Sequence, residues 1–291
     1  MIEPTLEHRT AHVNGVDLHY VTAGAGPLVV LLHGFPEFWY SWRHQIGPLA
    51  RTHTVVALDQ RGYNTSAKPA GVAAYALWQL VEDVRALVEH LGHDRATIVG
   101  HDWGGAVAWA FAMRHPGMTE RLAVLNLPHP ALMRRALKTN PRQMARSWYM
   151  AAFQTPRLPE WLMQRGQFAV LTRAMTDWVQ RPETFSAADI AAYHAAWGQP
   201  GALTAMVNWY RAAARYGGLW NKSLLSECVH MPTLLIWGTE DQALGVELTY
   251  GTQRYASDLR VRYLNDVSHW VQQEAPAQVN AVLAPFVRGE W

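Results

Sequence analysis

One short stretch of the sequence places a carboxylate between glycines at the end of an apolar run. Gly100-His101-Asp102-Trp103-Gly104 follows Ala96–Val99, which has the character of a buried strand. In a sharp turn from a strand into a helix, the residues two places before and after the tip crowd each other, and glycine relieves the crowding. Asp102 would stand at the tip, where a carboxylate can act as a nucleophile. A tight turn in which Asp102 only caps the helix is the alternative interpretation.

Two more side chains could complete a set for nucleophilic catalysis. His269 follows the apolar run Leu259–Leu264, and a histidine there could activate water for a second step. Asp241 follows the preceding apolar run, Thr233–Trp237, and could orient the far ring nitrogen of His269. A lone histidine near the end of a chain is more often a packed or surface residue. Because all three residues follow strand-like runs, in the order nucleophile, acid, histidine, an accidental arrangement is disfavoured.

Alternating strand and helix patterns indicate how the chain brings these residues together. An Asn14–Gly15 turn predicts an N-terminal hairpin, and unbroken apolar runs predict buried strands. The predicted strands are Ala11–Val13, Asp17–Val21, Leu28–Leu32, Thr54–Leu58, Ala96–Val99, Leu122–Leu127, Thr233–Trp237 and Leu259–Leu264, and the clearest helices are Leu77–Leu91, Ala106–Arg114 and Pro276–Val287. This pattern predicts an α/β fold, a mostly parallel sheet with helices on both faces. Ligands bind beyond the carboxyl ends of such strands, where the three candidate residues stand.

A long segment interrupts the alternation. From about Pro128 to Asn221 there is no strand-like run, and Ala, Met, Trp, Tyr and Arg are abundant, which predicts several helices. We therefore predict a core domain of residues 1–127 and 222–291, interrupted by a helical cap of residues 128–221. Basic residues in the segment favour a solvated helix face over a ligand site; they are Arg134, Arg135, Lys138, Arg142 and Arg146.

Composition excludes several classes of protein. The 291 residues are 49% apolar, and 25 Lys+Arg against 23 Asp+Glu leave a formal net charge of only +2, which argues against nucleic-acid binding. The single cysteine, Cys228, excludes an internal disulfide framework and a cysteine-rich metal site. No apolar run reaches the length of a membrane span, and residues 1–10 lack the apolar core of a signal peptide. A cytoplasmic location is expected, and the 14 Trp favour an apolar pocket.

The chain resembles the α/β-hydrolase superfamily along essentially its whole length. Three motifs are similar to those of the epoxide hydrolase family: His33–Glu37 (HGFPE), Asp59–Ser66 (DQRGYNTS) and Gly100–Gly105 (GHDWGG). The resemblance implies an α/β-hydrolase fold with a helical cap insert. It implies that Asp102 is the nucleophile, His269 the general base and Asp241 its partner. It further implies an oxyanion hole built from the backbone N–H groups of Phe35 and Trp103, and a cis peptide bond before Pro36.

The resemblance extends to two tyrosines of the helical segment. Tyr149 precedes Phe153-Gln154-Thr155-Pro156, and Tyr210 lies in Asn208-Trp209-Tyr210-Arg211, as in epoxide hydrolases, where such tyrosines donate hydrogen bonds to the epoxide oxygen. The substrate is expected to contact both tyrosines together with Phe35, Trp103 and Trp148. The implied reaction adds water to an apolar epoxide through an alkyl ester on Asp102 and gives a vicinal diol. It needs no metal and no organic cofactor, and a monomer or a homodimer is expected.

Other activities of the same fold stay open at this point. Haloalkane and haloacetate dehalogenases also use an aspartate nucleophile and a terminal histidine. Fluoroacetate dehalogenases carry arginines one and four residues after the nucleophile, where this chain has Trp103 and Ala106. They tend to have Trp in place of Tyr149. Because Trp148 is adjacent to Tyr149, a fluoroacetate dehalogenase stays an alternative. A non-catalytic ligand-binding homologue is a more distant alternative, whereas an esterase is disfavoured because the turn holds no Ser or Cys.

Overall fold

An eight-stranded sheet forms the centre of the molecule. The computed structural model describes residues 5–217 and 227–290. Its strands are β1 Glu7–Val13, β2 Val16–Ala23, β3 Leu28–Leu32, β4 Thr54–Leu58, β5 Ala96–His101, β6 Thr119–Leu125, β7 Thr233–Gly238 and β8 Leu259–Leu264, in the order β1-β2-β4-β3-β5-β6-β7-β8. The β1–β2 and β2–β4 pairs are antiparallel, and all other pairs are parallel. The predicted α/β fold class is confirmed.

Helices cover the sheet and fill the segment between β6 and β7. They are α1 Arg43–Ala50, α2 Leu77–His90, α3 Trp103–Arg114, α4 Pro130–Thr139, α5 Pro141–Arg146, α6 Trp148–Ala152, α7 Leu158–Thr176, α8 Ala187–Trp197, α9 Ala202–Tyr216, α10 Val271–Glu274 and α11 Pro276–Arg288. Inside α7 the backbone leaves the helical conformation at residues 165–168, so α7 consists of two helical pieces. No helix among the described residues is long and apolar enough to cross a membrane.

The central strands are buried because both faces of the sheet are covered. Val29 and Leu31 join one apolar cluster with side chains of α1 and α11. Val30 and Leu32 point the other way and pack with side chains of α2 and α3. Each residue of β3 is therefore apolar and buried, which explains why its predicted bounds are the observed ones.

Several predicted element bounds differ from the observed ones by a few residues, and the shifts of β6 and α3 have clear local causes. β6 covers Thr119–Leu125 instead of Leu122–Leu127, because its first residues pair with β5 and because Asn126 adopts a φ of +44° that turns the chain out of the strand. α3 begins at Trp103, before the predicted Ala106, because the helix opens directly after the turn at residue 102.

In the described part of the segment between β6 and β7, the regular elements are helices. Its buried tryptophans tie it to the loops that follow the central strands. The indole N–H of Trp197 donates to the carbonyl oxygen of Pro36 at 2.6 Å, and that of Trp209 donates to the carbonyl oxygen of Arg61 at 3.0 Å. These bonds hold α8 and α9 over the carboxyl edge of the sheet. The predicted boundary at residues 221 and 222 lies outside the described residues.

Candidate active site

Asp102 stands at the turn between β5 and α3 in a backbone conformation that few non-glycine residues adopt. Its φ is +48° and its ψ is −121°. A Cβ added at Gly100 would press on the backbone of Gly104, and one added at Gly104 would press on the carbonyl of Leu32 in β3. The turn can close this tightly only because both flanking residues are glycine.

Replacing Gly104 with Ala should lower the free energy of unfolding by about 3 kcal/mol, because the added methyl group meets backbone that cannot move aside. Gly117→Ala is the matched control, since a Cβ at Gly117 meets nothing within 4 Å. Urea unfolding followed by circular dichroism measures both variants. Equal stability of the two would contradict the close packing of the turn.

The histidine and the second carboxylate meet at this turn. His269 Nδ1 lies 2.7 Å from Asp241 Oδ2, and His269 Nε2 lies 3.6 Å from Asp102 Oδ2. Backbone N–H groups of Ala243 and Leu244 donate to Asp241 Oδ1, each at 2.8 Å. The carboxylate of Asp241 is therefore fixed, and it orients the ring of His269 so that Nε2 faces Asp102.

The other oxygen of Asp102 faces a backbone donor. The N–H of Phe35 donates to Asp102 Oδ1 at 2.9 Å. Phe35 follows the end of β3, and its peptide bond to Pro36 is cis, as the resemblance implied. The second donor expected for an oxyanion hole, the N–H of Trp103, belongs to the first turn of α3, where backbone N–H groups have no partner within the helix. The two oxygens of Asp102 thus have different surroundings, one accepting the N–H of Phe35 and the other facing His269.

The buried charges set the protonation of this pair. Burial by itself would lower the pKa of His269, but the carboxylates of Asp241 and Asp102 raise it to about 10. Burial would raise the pKa of Asp102, yet its interactions with His269 hold that pKa below its ordinary value. At neutral pH the pair therefore consists of a carboxylate and an imidazolium. The carboxylate can attack as a nucleophile, whereas the imidazolium cannot accept a proton until a neighbouring negative charge is lost.

Asn126 supports the acid in a way that the sequence did not predict. Its Nδ2 donates to Asp241 Oδ2 at 2.6 Å, and its Oδ1 accepts the N–H of Gly238 at 3.0 Å. The residue ends β6 with a positive φ, so its amide reaches across to the end of β7. The sequence signal for this role is the position of Asn126, a polar residue inside the apolar run that predicts the strand Leu122–Leu127.

A fully buried contact between a histidine and a carboxyl group lies behind His269. His101 Nδ1 lies 2.7 Å from Glu37 Oε2, and His101 Nε2 lies 2.8 Å from the backbone oxygen of His269. The other oxygen of Glu37 accepts the side-chain amides of Gln272 and Gln273. The sequence motifs contain both His101 and Glu37 but gave no sign of their contact. The network fixes the backbone at His269 and links it to the loop after β3.

The two predicted tyrosines share a pocket with Asp102. The pocket is lined by Asp102, Trp103, Ala106, Leu127, Met133, Tyr149, Met150, Tyr210 and Leu244. The rings of Tyr149 and Tyr210 lie 5.8 Å apart, and the ring of Tyr210 lies 5.0 Å from Trp103 and 5.3 Å from Phe35. Burial raises the pKa of both tyrosines above the ordinary value, and the charge of Asp102 acts in the same direction. Both hydroxyls are therefore protonated donors at neutral pH.

Trp148 is the one predicted site residue that the structure does not bring to the others. Its side chain is 70% exposed, and it does not line the pocket. Adjacent residues of a helix point in directions about 100° apart, so Tyr149 turns inward while Trp148 faces outward. This placement corrects the expectation that Trp148 contacts the substrate. Trp148 is also not placed to donate a hydrogen bond to a halide, as a dehalogenase would need.

Comparisons with known proteins agree with this geometry. The family model of the α/β-hydrolase fold matches residues 27–276. The chain is 41% identical to the AB hydrolase superfamily protein YfhM of Bacillus subtilis, over 96% of this chain and 97% of that one. It is 38% identical to Epoxide hydrolase 4 of Mus musculus, over 95% and 78% of the two chains. A mutant epoxide hydrolase of Bacillus megaterium, solved with its product, a naphthyloxy-propanediol, is 37% identical and covers 96% of this chain and 100% of its own, with a TM-score of 0.90. The chain belongs to the α/β-hydrolase family, and within it to the epoxide hydrolases.

Proposed function

We propose that this protein converts an apolar epoxide and water into a vicinal diol. The observation that carries the proposal is one pocket that holds a carboxylate at the turn and two tyrosine hydroxyls. A hydroxyl nucleophile at the turn would suit acyl transfer, whereas a carboxylate suits displacement at a saturated carbon. The tyrosines supply what an epoxide needs in addition, because the leaving oxygen is a poor leaving group until it receives a proton.

In the first step, Asp102 Oδ2 attacks one carbon of the epoxide ring. A bond forms between this oxygen and the carbon, and the bond from that carbon to the epoxide oxygen breaks. Tyr149 or Tyr210 donates a proton to the released oxygen, which stays attached through the neighbouring carbon. The product of this step is an alkyl ester of Asp102. Its carbonyl oxygen, Oδ1, accepts the N–H of Phe35.

In the second step, water hydrolyses the ester. Esterification removes the negative charge of Asp102, so the pKa of His269 falls and its Nε2 becomes able to accept a proton from water. The hydroxide attacks the carbonyl carbon, the N–H groups of Phe35 and Trp103 stabilise the charge on Oδ1, and the diol leaves with the former Oδ2. Water thereby replaces the carboxylate oxygen that the diol carries away. The proton that His269 releases when its pKa falls restores the tyrosine hydroxyl. His269 then takes a proton from water, and the carboxylic acid formed at Asp102 gives its proton to the departing oxygen, so the enzyme returns to its starting state.

The pocket walls and the relatives support an apolar, aryl-bearing substrate. Apart from Asp102 and the two tyrosine hydroxyls, the pocket is lined by apolar side chains, including Met133 and Met150. Thioether chains adapt to irregular shapes and contact aromatic rings favourably. The naphthyloxy-propanediol in the related Bacillus megaterium enzyme makes an aryl glycidyl ether a reasonable first substrate. The helical residues 128–221 are proposed to act as a cap over this pocket. The cytoplasmic location and the monomer or homodimer stay predictions.

A side-by-side turnover assay tests the proposal. Purified protein is given styrene oxide, an aryl glycidyl ether, fluoroacetate and a short haloalkane, and both diol and halide are quantified. We expect diol and no halide. Halide release without diol would replace the proposal by a dehalogenase, and tight ligand binding without any turnover would replace it by a non-catalytic homologue.

Replacing both tyrosines by phenylalanine should lower the rate of epoxide opening by about 100- to 10,000-fold, because no proton donor then faces the leaving oxygen. Either single variant should lose less, since the remaining hydroxyl still donates. Tyr75→Phe is the matched control, because the buried Tyr75 hydroxyl donates to the carbonyl oxygen of Pro69 and does not line the pocket. Single-turnover kinetics of ester formation measure the effect. Unimpaired opening by the double variant would exclude the proposed role.

A further inference from the structure

The helical segment between β6 and β7 is strongly basic, although the chain as a whole is nearly neutral. Residues 130–181 contain nine basic side chains and only two acidic ones, Glu160 and Asp177; the basic ones are Arg134, Arg135, Lys138, Arg142, Arg146, Arg157, Arg165, Arg173 and Arg181. One of the two acids, Glu160, is already paired with Arg211 at 2.6 Å. The net positive charge is thus concentrated on one part of the molecule.

The first helical piece of α7 presents an apolar stripe outward from this basic segment. Leu158, Trp161 and Leu162 are 49%, 52% and 43% exposed, at positions that fall on one side of a helix. Pro159 and Met163, on the other side, are buried. The helix therefore has a packed apolar side and a second, exposed apolar side.

Arginines border the exposed stripe. The guanidinium of Arg165 lies over the ring of Trp161, 4.4 Å from its centroid, and the exposed Arg157 precedes the helix. We call Arg157, Leu158, Trp161, Leu162 and Arg165 the basic apolar face.

Other exposed apolar side chains lie in the same stretch of sequence as the basic apolar face. Six of the eleven exposed large apolar side chains in the described part of the chain lie between residues 144 and 170, and Trp148 is the most exposed of them. Scattered exposed apolar residues are ordinary, but such a concentration marks an interaction surface.

We propose that the basic apolar face docks onto the surface of an anionic phospholipid bilayer. Exposed Trp and Leu side chains gain free energy by entering the boundary between headgroups and acyl chains. Arginine guanidinium groups pair with lipid phosphates, and the excess of basic residues attracts the segment to a negatively charged surface. The apolar stripe thus matches the boundary of the acyl chains, and the bordering arginines match the negatively charged headgroups.

A second copy of the chain fits this face less well. In a two-fold symmetric dimer the same patch meets itself, so the cations Arg157 and Arg165 of one copy would meet those of the other. Like charges brought together in a partly desolvated contact repel. The charge pattern thus favours an anionic occupant over self-association.

Vesicle co-sedimentation tests the proposal. The whole chain is mixed with vesicles of phosphatidylcholine alone, or of phosphatidylcholine and phosphatidylglycerol in equal parts. We expect binding to the anionic vesicles, little binding to the neutral ones, and weakening by salt. Trp161→Ser with Leu162→Ser, and separately Arg157→Gln with Arg165→Gln, should each weaken the binding roughly tenfold. The control is Trp78→Ser, because Trp78 is 43% exposed on α2, outside the basic segment, and its loss should change nothing.

Three outcomes would overturn the proposal. The first is no binding to anionic vesicles, and the second is binding that the two double variants leave unchanged. The third is sedimentation velocity that shows a dimer which Trp161→Ser with Leu162→Ser dissociates, because the face would then join two copies. The turnover of a water-soluble epoxide should be the same in all variants, since none of these residues lines the pocket. Membrane binding is measured without substrate, so its failure is distinct from failure of the proposed activity.

Discussion

Replacing Asp102 with Asn should lower epoxide turnover about 10,000-fold, because the amide is a poor nucleophile and no second carboxylate lines the pocket in the described part of the chain. The variant should keep its fold. Asn is among the residues that best tolerate the positive φ of this position, and its side-chain oxygen can still accept the N–H of Phe35. Steady-state diol formation measures the loss. Intact-protein mass spectrometry with epoxide present should show no adduct.

The protonation of His269 gives this variant a second readout. The charge of Asp102 helps to raise the pKa of His269, so in Asp102→Asn that pKa should fall below about 10. An NMR titration of the histidine detects the fall, and circular dichroism of the variant excludes unfolding, which would also lower that pKa. Slow deamidation of the introduced asparagine back to aspartate would restore activity, so peptide mass is checked after each assay. Full activity without deamidation would remove Asp102 as the nucleophile.

Much of the sheet and the order of the catalytic residues could be predicted because they depend on the residue types at individual positions. Leu28–Leu32 and residues 55–58 of β4 are buried, so each of these positions favours an apolar residue, and the length of the apolar run predicts the length of the strand. The turn at Asp102 needs glycine two places before and after it, a steric demand that is visible in sequence. The parallel topology then brings Asp241 and His269 to the same edge.

The supporting contacts could not be predicted, because they join residues that are distant in sequence. Asn126 and Asp241 are 115 residues apart, and no local pattern pairs an amide at the end of one strand with a carboxylate after the next. The contact of Glu37 with His101 depends in the same way on how two loops pack. The direction of Trp148 depends on the phase of α6, and a shift of one residue would have put Trp148 at the inward-facing place of Tyr149.

Replacing His269 with Gln should stop the reaction halfway. The first step needs only Asp102 and the tyrosines, so the ester still forms, but its hydrolysis should slow about 1,000-fold without a base for water. Epoxide should then be consumed about once per enzyme in the early phase, and diol should appear only slowly afterwards. Intact-protein mass spectrometry should show the enzyme plus one epoxide, and peptide mapping should place the adduct on Asp102. Asp102→Asn under the same conditions is the control, since it cannot form the ester.

The pH dependence of the second step separates a base from a merely structural histidine. In the intact enzyme, the ester carries no charge and only Asp241 still raises the pKa of His269, so that pKa lies below about 10 in the intermediate. Deprotonation creates the base, so ester hydrolysis should speed up as the pH rises through the lowered pKa and then level off. In His269→Gln the rise should vanish, because glutamine does not titrate. Absence of an adduct in the variant would contradict the two-step scheme, and a rise that persists in the variant would assign the proton transfer to another group.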